Sequence, residues 1–296
     1  MLQFPNNFVF FGTPEPAVQI LEKLREAEVL PKLIVTNPDK PQGRKMILTP
    51  PPVKVWALKN NIPILQPARL DSKFILQLLT LNYQLFLVVA YGGIIPKEIL
   101  EIPKFGSLNV HYSLLPKYRG ATPVESQILN DDKNVGVSIM LLDEKMDHGP
   151  IVAQKNLQLT TYNLQLNWPP TATDLRKKCN EIAGKLLLET VPLWIEGKIK
   201  PKEQEHAKAT YTKKITAKDR EINLAENGYK NFLKIQAFEA WGSYFFADYN
   251  GKKIRVTIKK VEFRDNNLIL LKVIPEGKKE MSYDDFLRGM KSEKIA

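Results

Sequence analysis

The stretch Gly106-Ser-Leu-Asn-Val-His-Tyr-Ser-Leu-Leu-Pro-Lys-Tyr-Arg-Gly-Ala-Thr-Pro-Val124 decides how this chain is read. Its first residues have the apolar, β-branched character of a strand, its middle is a Pro- and Gly-containing turn, and a helix is expected over 122–129. Asn109 and His111 lie two apart, and side chains at i and i+2 of a strand leave the same face. An amide and an imidazole therefore project together at the carboxyl end of a strand, where a rigid sheet commonly presents polar chemistry.

Working outward, the upstream sequence alternates between the two periods. Asn7-Phe-Val-Phe-Phe11 and Lys32-Leu-Ile-Val-Thr36 read as buried strands, and Ala17, Ile20, Leu21 and Leu24 repeat at helical spacing between them. That is a βαβ unit, with Thr13 expected as helix cap and Pro14 as first helical residue. A long polar loop follows over 37–52, carrying Lys40, Arg44 and Lys45 around Gly43. It reads either as a solvated crossover or as a basic loop able to reach a phosphate backbone. A helix over 53–60, a short strand over 62–65 and a helix over 71–81 lead to Leu85-Phe-Leu-Val-Val-Ala90, apolar throughout, as a central parallel strand covered on both faces should be. The predicted class is α/β, a Rossmann-like doubly wound and mostly parallel sheet. Only one glycine follows the first strand, so neither a dinucleotide fingerprint nor a Walker loop is present there.

Downstream, Val135-Gly-Val-Ser-Ile-Met-Leu-Leu142 is a strand, Asp147 and His148 precede Gly149 in a loop, Ile151-Val-Ala-Gln154 is a further strand, and a long helix spans 171–194. Residues 197–208 are polar and aperiodic and read as a linker. After them the pattern changes to short strands separated by Asp248-Tyr-Asn-Gly251 and Arg264-Asp-Asn-Asn267, which predicts a small C-terminal β-barrel, OB-like in type. The expected organisation is a catalytic domain over 1–196, the linker over 197–208 and a second domain over 209–296.

The net charge is +11 over 296 residues, and from Pro201 onward 20 basic and 14 acidic residues leave an excess of +6. The basic C-terminal third fits a polyanionic partner or a general solubility bias equally well. A single cysteine, Cys179, excludes an internal disulfide framework and reads as structural. No apolar run long enough to cross a membrane and no secretory leader is visible, so a cytoplasmic protein without membrane association is expected.

Three histidines are present. His206 falls in the linker and reads as exposed, and His148 could serve either structure or chemistry. His111 stands out because Asn109 shares its face and an Asp-bearing loop follows on a nearby strand. An amide can donate to a developing oxyanion, an imidazole can donate or shuttle a proton, and a carboxylate can orient the imidazole. With no Ser or Cys in a nucleophile elbow, direct acyl transfer to an amine fits this trio better than an acyl-enzyme route. No metal-binding pattern is found. Arg119 could hold an anion or brace its loop through backbone carbonyls.

These residues resemble the folate-dependent formyltransferase family: Asn109-Val-His111, Ser113-Leu-Leu-Pro116, Arg119-Gly120, Pro123, and Asp147 with Gly149. Phe11-Gly-Thr-Pro-Glu15, Pro38-Asp-Lys-Pro-Gln-Gly-Arg44, Pro52-Val-Lys54, Val89-Ala-Tyr-Gly92, Ala209-Thr-Tyr-Thr-Lys213 and Asp285-Phe-Leu-Arg-Gly289 are similar to its methionyl-tRNA branch, so the resemblance covers nearly the whole chain. It implies 10-formyltetrahydrofolate as formyl donor, methionyl initiator tRNA as acceptor, a monomer, and Asn109, His111 and Asp147 as the catalytic trio. It implies folate contacts from Ser113, Leu114, Leu115, Pro116, Val89, Ala90, Tyr91, Gly92, Leu141 and Asp143, and tRNA contacts from Lys40, Arg44 and Lys45. Rival readings are a formyltransferase acting on a sugar-nucleotide amine and a non-catalytic tRNA-binding protein. The chain departs from the family pattern at His148, where Thr is usual, in 160–173, and at Ala237-Phe-Glu-Ala-Trp-Gly242, which lacks two prolines.

Overall fold

A computed structural model describes residues 4–43, 45–157, 168–249 and 251–292. The chain forms two compact units. The first comprises described residues up to Pro123, 134–157 and 176–212, and the second comprises 124–133, 168–175 and 213–292.

The first unit is built on seven strands. They are β1 (Phe8–Gly12), β2 (Leu33–Val35), β5 (Ile64–Leu65), β6 (Leu85–Val89), β7 (Ser107–His111), β8 (Gly136–Leu141) and β9 (Ile151–Asn156), in the order β5-β2-β1-β6-β7-β8-β9. A two-stranded hairpin, β3 (Lys40–Gln42) with β4 (Ile47–Thr49), stands apart from this sheet. The pairs from β5 to β7 are parallel, whereas β7 with β8 and β8 with β9 are antiparallel. Its helices are α1 (Glu15–Glu26), α2 (Pro52–Lys59), α3 (Ser72–Leu79), α4 (Lys97–Leu100) and, from residue 176 on, α6 (Ala172–Ile195), whereas α5 (Pro123–Leu129) falls in the second unit apart from its first residue. All five residues of β1 and all five of β6 are buried, so helices must cover both sheet faces. Val9 and Phe11 pack with Phe74, Leu78, Phe86, Val88 and Ile99 in one core cluster, which places α3 and α4 on that face. Asn180 of α6 donates to Gln19 of α1 at 2.8 Å. Cys179 is fully buried, and burial pushes its thiol pKa up to about 12.

Local signals set some helix starts and not others. Asp71 caps α3 by accepting from Phe74 N–H at 3.1 Å. Thr13 does not cap α1: the cap position is Pro14, without a side-chain bond, and the Thr13 hydroxyl instead donates to Tyr91 O at 3.0 Å. The threonine is thus drawn across to β6, where a carbonyl competes for it. The expected structureless loop over 37–52 contains the β3–β4 hairpin, whose residues Met46, Ile47 and Leu48 are exposed. Lys40 and Lys45 are exposed on it, while Arg44 lies outside the described residues.

The second unit contains α7 (Gly228–Ala237), α8 (Tyr283–Ser292) and an antiparallel sheet in the order β10 (Tyr244–Tyr249), β11 (Lys252–Arg264), β12 (Asn267–Pro275), β13 (Met281–Ser282). The pairing places the C-terminal β content as a four-stranded sheet with a register irregularity around Lys260, where a long strand can bend. Ile235 of α7 and Phe286 of α8 pack with Phe245, Val256, Ile258 and Val273. Neither helix is among the sequence expectations, although in α8 Tyr283, Phe286, Leu287 and Met290 recur at helical spacing. Most of 160–173 lies outside the described residues; within 237–242, Trp241 and Gly242 carbonyls accept from Arg220.

Candidate active site

In the first unit the strand order reverses about β1, because the chain runs from β1 out to β2 and β5 and then returns to β6 and β7. Ligand sites of open α/β sheets form at the carboxyl ends of strands flanking such a reversal. Three strand ends are tied together there. The carbonyl of Tyr91, just past β6, accepts from Thr13 Oγ1 after β1 and from Asn37 Nδ2 after β2, at 3.0 and 2.9 Å. Ala90 at φ 47° and Gly92 at φ 79° give this turn its left-handed backbone. A Cβ at Gly92 would meet only Asn37 Nδ2, at 3.8 Å, so the turn is open to a ligand.

Asn109 and His111 occupy β7 as expected, the first half-buried and the second 5% exposed. The structure brings Asp147 to His111: Nδ1 and Oδ1 are 3.6 Å apart, an ion-pair distance rather than a hydrogen bond. His111 Nε2 lies 2.9 Å from the Tyr118 carbonyl. A carbonyl can only accept, so this contact fixes the proton on Nε2 and turns Nδ1 toward the carboxylate. The other carboxylate oxygen accepts from Gly120 N–H at 2.6 Å. The Asn109 amide has no hydrogen-bond partner among the described residues, so its donors are available to a substrate oxygen. Asp147 itself stands at φ 50°, an uncommon conformation for a non-glycine residue and one often retained at functional sites.

The Ser113–Pro116 loop is fixed by its own bonds. Ser113 Oγ donates to Lys117 O at 2.6 Å, Leu115 N–H to Ser138 Oγ at 3.1 Å, and Gln154 Nε2 to Leu115 O at 2.8 Å. Leu114 abuts Gly136. Leu141 N–H bonds Pro150 O at the base of the Asp147 turn. Asp143 accepts from Lys145 N–H at 2.9 Å and from His148 Nδ1 at 2.6 Å, so its carboxylate is already engaged and would face a ligand through main-chain groups.

Two expectations change. Arg119 does not brace its loop through backbone carbonyls. It is 1% exposed, and its guanidinium is held by Gln204 Oε1 at 2.7 and 3.2 Å, His206 Nδ1 at 2.9 Å and Tyr211 OH at 3.3 Å. His206, although exposed, is not idle: its ring stacks on His148 with centroids 4.0 Å apart. Nothing in the aperiodic stretch 197–208 signalled this, and Gln204 was missed altogether. Its partners are about 85 and 55 residues away in sequence, beyond any local pattern. Among the described residues no cluster of three or more His, Cys, Asp or Glu forms a metal site, and no helix is long and apolar enough to cross a membrane.

Residues 6–191 match the family model described as "Formyl transferase". A methionyl-tRNA formyltransferase from Caldicellulosiruptor saccharolyticus is 38% identical over 97% of this chain and 98% of its own. Among solved structures, a methionyl-tRNA formyltransferase from Clostridium thermocellum aligns with a TM-score of 0.61 at 17% identity, covering 94% of this chain and all of that one. The sugar 3N-formyl transferase WlaRD, solved in the presence of dTDP and 5-N-formyl-THF, aligns at 0.57 and 21% identity over 87% of both chains. The last two likenesses concern the fold. The match over 6–191 and the near-full-length identity carry the assignment: the chain belongs to the formyl transferase family, in its methionyl-tRNA formyltransferase branch.

Proposed function

We propose that the chain transfers the formyl group of 10-formyltetrahydrofolate to the α-amino group of methionyl initiator tRNA, in the cytoplasm, as a monomer and without a metal, for translation initiation. The observation that carries the mechanism is the Asp147 carboxylate held between His111 and Gly120 N–H, with the Asn109 amide, unpartnered among the described residues, two positions before His111 at the carboxyl end of β7.

The uncharged amine attacks the formyl carbon directly. A C–N bond forms to the amine and the formyl oxygen gains negative charge. The Asn109 amide is placed to donate to that oxygen, a role whose loss typically costs ~10²–10³ in rate. Both His111 nitrogens face protein acceptors, so His111 joins the oxyanion contact only by exchanging the Tyr118 carbonyl for the substrate oxygen. Asp147 orients the ring and accepts, through His111 or a water, the proton that the amine loses. Collapse breaks the bond from the formyl carbon to the donor nitrogen, which takes up a proton.

The turns at Val89, Ala90, Tyr91 and Gly92 and at Leu141 and Asp143 offer main-chain groups for a pterin, with Tyr91 O already committed to Thr13 and Asn37. Ser113, Leu114, Leu115 and Pro116 form the adjoining wall. Lys40 and Lys45, exposed on the hairpin, serve the tRNA together with Arg44. In the second unit Lys253 lies over Phe246 at 4.5 Å and Arg255 over Tyr244 at 5.1 Å, so β10 and β11 offer cations and aromatic rings to a polyanion. We further propose that residues 1–196 carry the chemistry and 209–296 the tRNA affinity.

The test is formyl transfer from 10-formyltetrahydrofolate to charged initiator tRNA, run beside charged elongator tRNA and an aminosugar nucleotide. Preference for initiator tRNA is expected. Preference for the aminosugar, or no transfer to any acceptor, overturns the reading.

A further inference from the structure

The Asp147 turn is held by a residue far away in the chain. Gln204 is 4% exposed and uses its whole hydrogen-bonding capacity. Its Oε1 accepts twice from the Arg119 guanidinium, from Nε at 3.2 Å and Nη2 at 2.7 Å. Its Nε2 donates to Asp147 O at 3.0 Å and to Gly149 O at 2.7 Å. A guanidinium only donates and carbonyls only accept, so the orientation of the amide is unambiguous.

The backbone around Gln204 is stitched down on both sides. Ile151 and Lys202 exchange a pair of 2.8 Å bonds at the start of β9. Arg119 N–H donates to Thr210 O at 2.8 Å, and Thr212 N–H to Arg119 O at 2.7 Å. Gln204 is therefore delivered to one place between the Arg119 loop and the Asp147 turn. Asp147 needs such support, because its left-handed φ of 50° is a conformation that surrounding structure must enforce. Its side chain meets the Arg119 loop through Gly120 N–H, and its main chain meets the same loop through Gln204. Two independent links thus set where the carboxylate stands relative to His111.

We propose that Gln204 is a positioning residue for Asp147, acting through its two amide bonds to the 147–149 turn and anchored by Arg119. This rests on the reading of Asp147 as a catalytic group. Gln204→Glu separates the two halves of the contact. The shape is kept and the Arg119 side is retained or strengthened, but the donor to Asp147 O and Gly149 O is lost. Gln204→Met removes both halves without adding charge and reads the same loss should the glutamate hinder folding.

Both variants and wild type are to be assayed by single-turnover and steady-state formyl transfer, alone and combined with Asp147→Asn, with thermal melting to establish the folded fraction. Expected is a drop in kcat of roughly tenfold or more for each Gln204 variant, with KM for donor and for charged tRNA within about twofold of wild type. In the Asp147→Asn background the Gln204→Glu change should add less than about twofold, because its effect is spent through Asp147. Wild-type kcat in both folded Gln204 variants overturns the inference, and so does an undiminished loss in the Asp147→Asn background. Wild-type turnover by Asp147→Asn alone overturns the reading of Asp147 itself, an outcome distinct from the other two.

Discussion

Gly120→Ala is the sharpest probe of how the site is held. Gly120 stands at φ 114°, a backbone region essentially closed to L side chains, and its N–H donates to Asp147 Oδ2 at 2.6 Å. A Cβ there would sit 2.5 Å from Thr212 Oγ1 and 3.3 Å from Thr212 O. One side must retreat by about 0.5 Å or more to reach the closest approach that real Cβ atoms tolerate. Thr212 cannot yield freely, since its N–H is bonded to Arg119 O at 2.7 Å and its hydroxyl receives Thr122 N–H at 3.2 Å. The displacement therefore falls on residue 120 and lengthens the bond to Asp147. A hydrogen bond to a charged group contributes about 1.5–3 kcal/mol, so its loss corresponds to roughly 10- to 150-fold. The assay is single-turnover formyl transfer with saturating donor and charged tRNA, alongside thermal melting. Gly197→Ala is the control. It also has positive φ, 69°, but is exposed with no atom within 4 Å of the added Cβ, so it should cost about 1 kcal/mol of stability and leave kcat unchanged. Wild-type kcat in Gly120→Ala would refute the reasoning, as would an equal loss of kcat in Gly197→Ala.

Three other outcomes are expected. Asn109→Ala should lose ~10²–10³ in kcat while melting near the wild-type temperature, because the half-buried amide has no partner among the described residues to strand; a large fall in melting temperature would show that the residue is structural. Burial raises the Cys179 thiol from 9.0 to about 12, so the folded state retains a proton that the unfolded chain releases. The stability from this group is present below about pH 9 and is lost as pH rises toward 12, while native protein resists thiol reagents until it unfolds; rapid labelling of native protein at pH 8 would contradict this. Apparent KM for charged tRNA should climb steeply from 50 to 200 mM salt while that for the folate donor changes little, since only the former releases condensed counterions; parallel salt curves would remove the polyanion from the account.

How much was legible in the sequence depended on the range of the interaction. The run Leu85-Phe-Leu-Val-Val announced a strand buried on both faces, because that depends on neighbours within a few residues. Thr13 was misjudged for the complementary reason: a local cap was available, but the Tyr91 carbonyl 78 residues away won the hydroxyl. The polar loop over 37–52 hid a hairpin because its exposed strands, one containing Pro41, carry no alternating apolar face to a core.

The site divides in the same way. Asn109 and His111 share a face because strand geometry repeats every two residues, and their place at the carboxyl end of a strand follows from the alternation of helices and strands. Those consequences of local periodicity could be read from the sequence, as could the family resemblance carried by the motifs themselves. The 3.6 Å approach of Asp147 to His111, the carbonyl that fixes the imidazole tautomer, and the burial of Arg119 against Gln204 could not. They join segments from 7 to 85 residues apart, the longer-range ones through the antiparallel return of β8 and β9 and the docking of the 202–212 segment. Which strand follows which, and in which direction, decides those encounters. A hydrogen bond fixed by tertiary docking leaves no periodic trace in the order of the residues that make it.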